Sequence, residues 1–141
     1  MLTEINTPVE TSQGRIRRLC SHFFQVASMD DSIRFYRDMM GFALTYQEPR
    51  FASMKVGDLE ICFQPADGQP KPQATQGMIV TVEVDNVWAF YRRLRDRSVK
   101  ATEPRTQEWD RRVLITEFSD LNGIHWALIQ PTSVRGWEPA F

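Results

Sequence analysis

The hydrophobic pattern of the chain changes from a strand-like run to a helical stripe and back again. A first apolar run covers about 19–27, and Ile33, Tyr36 and Met40 follow it at intervals of three and four residues. That spacing places the three side chains on one face of a helix, which Gly41 is well placed to end. Three short strand-like runs come next, at about 42–47, 50–56 and 59–64. The pattern therefore predicts a β-α-β-β-β unit.

The same order of elements returns in the second half of the chain. A strand is predicted at about 78–84 and a helix at about 86–98. Three more strands are predicted at about 101–106, 111–118 and 124–130. The tripeptide Phe-Tyr-Arg occurs in both helices, at 35–37 and at 90–92. Because one such unit cannot bury its apolar face alone, the repeat predicts an α+β fold in which two βαβββ modules pack together.

The bounds of the predicted helices and strands indicate one folded domain, at 19–131, with a segment on either side. The parts are a mobile N-terminal segment (1–18), module one (19–64), a linker (65–77), module two (78–131) and a C-terminal tail (132–141). The linker is rich in Pro, Gln and Gly, which are typical of surface loops. Trp137 and Phe141 could anchor the tail on the domain or on a second subunit.

Composition narrows the range of partners. The formal net charge is -1 over 141 residues, which gives no electrostatic reason to expect nucleic acid or an anionic membrane as the main partner. The two cysteines, Cys20 and Cys62, match neither a disulfide framework nor a zinc motif. We find no membrane-spanning run and no signal peptide pattern, so we expect a soluble, cytoplasmic protein.

Two motifs in this order resemble a known superfamily. The first is the helix string SIRFYRDMMGF at 32–42, and the second is the turn Asp-Leu-Asn-Gly at 120–123, which precedes the last strand. Together with the two βαβββ modules, they resemble the vicinal oxygen chelate superfamily, which includes glyoxalase I, bleomycin-resistance proteins, fosfomycin-resistance enzymes and extradiol dioxygenases. The resemblance covers about 20–131. It implies that each module curls into a cup-shaped half-barrel that binds small ligands, often in a homodimer.

The resemblance also indicates where a metal ion would bind. Enzymes of this superfamily hold a divalent metal with four inward-facing strand residues, and these positions fall on Ser21, Ile61, Ile79 and Ala127. A shift of one residue in the fourth strand would instead place Glu60 inside. Aliphatic side chains carry no donor atom, and zinc, manganese or iron needs about three imidazole, carboxylate or thiolate ligands. We therefore predict no metal and no cofactor, as in the metal-free bleomycin-resistance-like members.

Strand alternation then predicts which side chains line the cup. The predicted ligand-binding residues are Ser21, Phe23, Gln25, Ile61, Phe63, Ile79, Thr81, Glu83, Trp109, His125 and Ala127. Trp109 is included because bleomycin-resistance-like relatives often carry a ligand-stacking aromatic there; it could equally anchor a second subunit. The other faces of the strands are strongly apolar and suit packing under the helices. An apolar, aromatic-walled cup with few polar groups is typical of a small-molecule site.

Three functions remain open at this point. The first is a metal-free protein that sequesters a hydrophobic or aromatic small molecule, in a cup between the modules and at a dimer interface. The second is an enzyme of the same fold, a lyase, isomerase or dioxygenase, with a metal site at shifted positions or with acid-base catalysis by Glu83 or His125. The third is an interaction module without a ligand.

Overall fold

The two βαβββ modules each form a four-stranded sheet in the computed structural model, which describes residues 13–67, 77–106 and 111–132. The strand order is β1-β4-β3-β2 in module one and β5-β8-β7-β6 in module two. In both sheets the first and last strands of the module are parallel neighbours, and the remaining pairs are antiparallel. The predicted α+β fold with two repeated modules is confirmed.

Module one contains the elements that the first half of the pattern predicts. They are β1 (His22–Val26), α1 (Met29–Arg34), a π-helical turn that continues it (Phe35–Met39), β2 (Ala43–Glu48), β3 (Phe51–Val56) and β4 (Leu59–Pro65). The helix begins at Ser28, whose hydroxyl accepts a hydrogen bond of 3.2 Å from the backbone N–H of Asp31. Gly41 follows the helix with φ of 81°, a conformation that favours glycine.

Module two repeats this order with one shortened strand. Its elements are β5 (Val80–Glu83), α2 (Val87–Asp96), β6 (Arg105–Thr106), β7 (Val113–Ser119) and β8 (His125–Pro131). Asn86 caps the helix by accepting a 3.0 Å hydrogen bond from the backbone N–H of Ala89. The strand predicted at 101–106 is reduced to β6 and one isolated bridge between Ala101 and Phe118. Within the described residues, neither helix is long and apolar enough to cross a bilayer.

The helix-facing sides of both sheets meet in one hydrophobic core. Tyr36 and Phe63 from module one and Trp126 from module two are fully buried there. The Tyr36 ring centroid lies 5.7 Å from that of Phe63 and 6.4 Å from that of Trp126, so the tyrosine contacts both modules. The other copy of the tripeptide differs, since Tyr91 is only half-buried and packs on Trp88. The repeated tripeptide therefore does not mark two equivalent environments.

A buried carboxylate also joins the two modules. Asp120 Oδ2 accepts hydrogen bonds from the Tyr36 hydroxyl at 2.7 Å and from Trp126 Nε1 at 2.8 Å. Asp120 Oδ1 accepts from the backbone N–H groups of Asn122 at 2.8 Å and Ile124 at 3.0 Å. Because Tyr36 belongs to module one, this carboxylate links the first helix to the turn between β7 and β8.

Asn122 adds a second set of contacts between the modules. Its Nδ2 donates to Ser32 Oγ and to the Tyr36 hydroxyl, both at 3.1 Å. Burial raises the pKa of Asp120, although its four hydrogen-bond donors act in the opposite direction. Burial also raises the pKa of Tyr36, so its hydroxyl keeps its proton and acts as a donor at neutral pH. The turn motif at 120–123 thus has a structural role.

Candidate functional site

Each sheet has one face against the shared core and one face that points away from it, which we call the open face. In module one the register pairs Phe23 with Cys62, Cys62 with Ser53 and Ser53 with Tyr46. Paired residues project from the same side of a sheet, so these four side chains form a row across all four strands. This row is the centre of the open face of module one.

Three aromatic side chains lie together on this face. The Phe51 ring centroid is 6.0 Å from that of Phe23 and 5.9 Å from that of Tyr46. Phe23 is 54% exposed and Tyr46 is 53% exposed. We call these three residues the aromatic trio. Their rings offer a large apolar surface that the single chain leaves in contact with solvent.

A β-bulge places Tyr46 on this face. Leu44 pairs with Met54, which lies in the core, whereas Tyr46 pairs with Ser53 after a register shift between Leu44 and Tyr46. Without the extra residue, Leu44 and Tyr46 would point to the same side of the strand. Tyr46 was not predicted as a site residue, since simple alternation does not reveal a bulge.

The open face of module two follows from the pairing of β5 with β8 and of β8 with β7. Thr81 pairs with Ala127, and Ala127 pairs with Glu117. Glu83 pairs with Ile129 further along the same face, and Thr81 and Glu83 are exposed. The structure therefore places Thr81, Glu83 and Ala127 on the open face, and their role in binding stays a prediction.

A hydrogen-bonded polar cluster lies on this second open face. His125 Nε2 is 2.9 Å from Glu117 Oε1, and Arg105 Nη2 donates to Glu117 Oε2 at 3.1 Å. Arg105 Nη1 donates to Thr102 Oγ1 at 3.1 Å, and that oxygen also accepts from the Glu117 backbone N–H at 2.9 Å. We call His125, Glu117 and Arg105 the polar cluster. Only His125 was predicted as a site residue from the sequence. Arg105 and Glu117 approach it through strand pairing, which the sequence does not show.

The predicted positions of Ile61 and Phe63 require correction. Both side chains are fully buried, and Ile61 pairs with His22 on one side and with Met54 on the other. Met54 lies in the core, so Ile61 and Phe63 face the helices rather than the open face. The physical reason is the apolar alternation of β4, whose most hydrophobic side is the one that packs against the core.

The opposite side of β4 consequently faces outward. Glu60 and Cys62 occupy this side. Their position corresponds to the alternative register of β4, shifted by one residue, that would place Glu60 inside the cup. The Cys62 thiol lies 3.9 Å from Glu60 Oε2, and burial raises the pKa of the thiol. A thiol with a raised pKa is a weak nucleophile at neutral pH, so Cys62 contributes packing rather than reactivity.

The remaining predicted residues lie at the edges of these faces. Ser21 precedes β1, is half-buried and hydrogen-bonds the Cys62 thiol. Gln25 is exposed in β1, beyond Phe23. Ile79 precedes β5 and is 52% exposed. Trp109 lies outside the described residues, as do most of the predicted N-terminal segment, linker and tail.

The donor set does not fit a metal centre. Among the described residues, no three His, Cys, Asp or Glu side chains lie close enough together to share a metal ion. The four positions that the resemblance indicated carry one hydroxyl and three aliphatic side chains, and the shift in β4 adds only Glu60. Divalent catalytic metals need about three strong ligands, so we derive no chemical step from a metal.

A separate cleft lies between the modules on their helix-facing side. It has a volume of about 340 Å³ and is lined mainly by Met40, Phe42, Val56, Ala89, Phe90 and Leu128. Arg93 lies at its edge, donates through Nε to the Met39 carbonyl at 3.2 Å and stacks 4.3 Å above the Phe90 ring. The sequence predicted a cup between the modules, but of the residues that line this cleft only Glu83 was among the predicted ligand-binding residues. It is a second apolar surface that any binding experiment must distinguish from the open faces.

Comparison with known proteins agrees with this architecture. The sequence model of the family described as "Glyoxalase/Bleomycin resistance protein/Dioxygenase superfamily" matches residues 18–128. No functionally curated protein matches the chain significantly. The matched range contains both sheets except the end of β8, and it therefore includes most of the two open faces.

Solved structures with the same fold include a bleomycin resistance determinant and a bleomycin-binding protein. A glyoxalase/bleomycin resistance protein/dioxygenase from Nocardioides is 18% identical with a TM-score of 0.66, and the match covers 98% of each chain. A bleomycin resistance determinant encoded on the transposon Tn5 is 19% identical with a TM-score of 0.64, over 83% of this chain and 100% of that one. A bleomycin-binding protein complexed with bleomycin is 20% identical with a TM-score of 0.62, over 81% and 98%. At these identities the likeness shows the fold alone.

Proposed function

This chain belongs to the glyoxalase/bleomycin resistance protein/dioxygenase superfamily, and from that premise we propose that it binds a small aromatic molecule on the open faces of its sheets, without a metal ion. The observation that carries the proposal is the aromatic trio. Two of its three rings are more than half exposed, at the centre of the open face of module one. An aromatic lining with a few polar groups nearby is the composition typical of small-molecule sites.

The division of the surface into an aromatic and a polar part supports the proposal. Module one supplies the aromatic trio, which favours flat apolar ligands through stacking and burial of apolar area. Module two supplies the polar cluster, which can orient a ligand through hydrogen bonds. Gln25 and Thr81 add further polar groups at the sides. An apolar surface for affinity and sparse polar groups for orientation are the two requirements of such a site.

We further propose that a second copy of the chain completes the site. Phe23, Tyr46 and Ile79 each leave more than half of their area exposed, and Phe23 and Tyr46 belong to one contiguous aromatic patch, a feature that marks interaction sites. Pairing the open faces of two copies would cover these side chains and enclose the ligand. Light scattering at micromolar concentration is expected to give the mass of a dimer, and the mass of a monomer throughout the concentration range would contradict this arrangement.

The polar cluster supports one alternative, an acid-base enzyme on the same open face. His125 lies within hydrogen-bond distance of Glu117, an arrangement that can orient an imidazole as a base. Glu83 lies at the exposed end of β5, away from this pair. If the protein is an enzyme, His125 is therefore the better candidate for the base. Formation of a product from a bound compound, abolished in His125→Phe and retained in Glu83→Gln, would favour this alternative.

Placing a charge in the aromatic trio tests the proposed binding site. Phe23→Asp is expected to weaken binding of aryl alcohols such as 2-naphthol by at least about tenfold, because it removes ring contacts and puts a carboxylate on the face. Titration calorimetry of the folded variant measures this effect. The side chain is exposed, so the fold should be retained.

The matched control fills the cleft between the modules. Ala89→Leu places a larger side chain in the cleft while keeping a good helix former in α2. It should leave the affinity for 2-naphthol unchanged. The opposite result, in which the cleft variant loses binding and Phe23→Asp does not, would place the ligand in the cleft and contradict the proposal.

A further inference from the structure

We propose that Glu117 presets His125 as a hydrogen-bond acceptor, so that the open face of module two selects ligands bearing a hydroxyl proton, of the phenol or enol class. This inference rests on the proposed small-molecule function and adds the ligand's polar group to it. The contacts involved are the 2.9 Å approach of His125 Nε2 to Glu117 Oε1 and the 3.1 Å hydrogen bond from Arg105 Nη2 to Glu117 Oε2.

The charge of Arg105 decides which atom of this pair holds the proton. A guanidinium only donates hydrogen bonds, so Glu117 is the acceptor in its contact with Arg105 and takes the same role toward the imidazole. Its contact with His125 Nε2 is then an N–H···O hydrogen bond in which the imidazole donates. In the neutral ring the proton therefore lies on Nε2, and Nδ1 is left with a lone pair.

The unused nitrogen of His125 is available to a ligand. Among the described residues, Nδ1 has no hydrogen-bond partner, and 39% of the side chain remains exposed. The Nδ1 lone pair accepts a hydrogen bond from a ligand O–H group. A ligand carboxylate or ether has no O–H group to donate. A carboxylate would also approach the negative Glu117. The half-buried Ile129 on the same face provides apolar surface for the ligand's ring.

Glu117 acts in this proposal as a positioning residue. Its carboxylate is used on both oxygens by His125 and Arg105, so it shapes the site through the imidazole rather than by touching the ligand. The backbone N–H of Glu117 is itself held by Thr102 Oγ1 at 2.9 Å. The strand register also places Ser119 opposite His125, which fixes the imidazole near the turn that joins β7 to β8.

Three probes with the same ring system test the inference. Wild-type protein is expected to bind 2-naphthol at least about tenfold more tightly than 2-methoxynaphthalene and more tightly than 2-naphthoate, because only the naphthol donates a proton. His125→Phe should reduce the preference for naphthol over the ether to about unity, since it removes the acceptor. Glu117→Ala should reduce the preference to a smaller extent, since the imidazole remains but is no longer held in one tautomer. Glu117→Gln, which keeps an acceptor oxygen, should restore part of the preference.

A spectroscopic measurement separates this role from a structural one. The chain has only two histidines, so His22→Asn identifies the nitrogen signals of His125 in a ¹⁵N spectrum. The free protein should show the proton on Nε2, and naphthol should shift the Nδ1 signal while the Nε2 proton remains.

The outcomes distinguish this inference from the proposed function. Equal affinity for naphthol and its ether in wild type would overturn the inference while leaving aromatic binding in place. Tighter binding of 2-naphthoate than of 2-naphthol would also overturn the inference, because Arg105 would then bind the ligand carboxylate. Binding of none of the three probes would overturn the inference and count against the proposed function as well.

Discussion

Replacing Asp120 with alanine is expected to destabilise the protein by at least about 3 kcal/mol, because a buried donor that loses its acceptor costs about 1–3 kcal/mol. The carboxylate accepts from the Tyr36 hydroxyl, from Trp126 Nε1 and from two backbone N–H groups. All of these lie in the interior where the modules meet. Urea unfolding followed by tryptophan fluorescence measures the change in the free energy of unfolding.

Asp85→Ala is the matched control, since it removes the same charge from an exposed position. It should change stability little, and an Asp120→Ala variant as stable as this control would contradict the role assigned to the buried carboxylate. The difference in stability between wild type and Asp120→Ala should also depend on pH. Because burial raises the pKa of Asp120 in the folded state above its unfolded value, the contribution of this group is largest at low pH and declines as pH rises through the raised pKa.

Ile61→Glu is expected to reduce stability by about 4 kcal/mol or more, because it places an unpaired carboxylate in the core. Ile61 is fully buried on the helix-facing side of the sheet of module one, where it pairs with Met54. If the residue lined an open face instead, the same substitution would leave the fold intact. Circular dichroism and urea unfolding distinguish these two cases.

Phe23→Glu provides the comparison on the opposite face of the same sheet. Phe23 is exposed in the single chain, so a carboxylate there remains hydrated and should cost the folded monomer little stability. A folded Ile61→Glu variant together with an unfolded Phe23→Glu variant would show that the faces of module one have been assigned the wrong way round.

The order of elements could be predicted from the sequence because each one has a local signal. Ser28 and Asn86 cap the two helices, and Gly41 follows the first with a positive φ. The spacing of Ile33, Tyr36 and Met40 gave the buried stripe of the first helix. These signals depend on residues close together in the chain, so no tertiary information was needed.

The phase of individual strands was harder to predict. In β4 an offset taken from the resemblance placed Ile61 on the open face, whereas the hydrophobic side of that strand packs on the core. In β2 the bulge after Leu44 reverses the alternation, so Tyr46 was not recognised as a site residue. A one-residue change of phase moves a side chain to the opposite face, which is why small errors of register change the predicted site.

The polar cluster was beyond sequence analysis for a different reason. Arg105, Glu117 and His125 belong to three separate strands, and their proximity depends on the pairing of those strands. Each residue taken singly is an ordinary polar residue at a strand position. Only the folded sheet shows that they form one hydrogen-bonded group.

Mapping a bound aryl alcohol on the protein by NMR would show which surface holds the ligand. With ¹⁵N-labelled protein and 2-naphthol, we expect the largest amide shifts at Phe23, Phe51, Thr81 and Ala127, on the two open faces. Shifts concentrated at Val56 and Ala89, with the open faces unchanged, would show that the ligand occupies the cleft between the modules and would contradict the account.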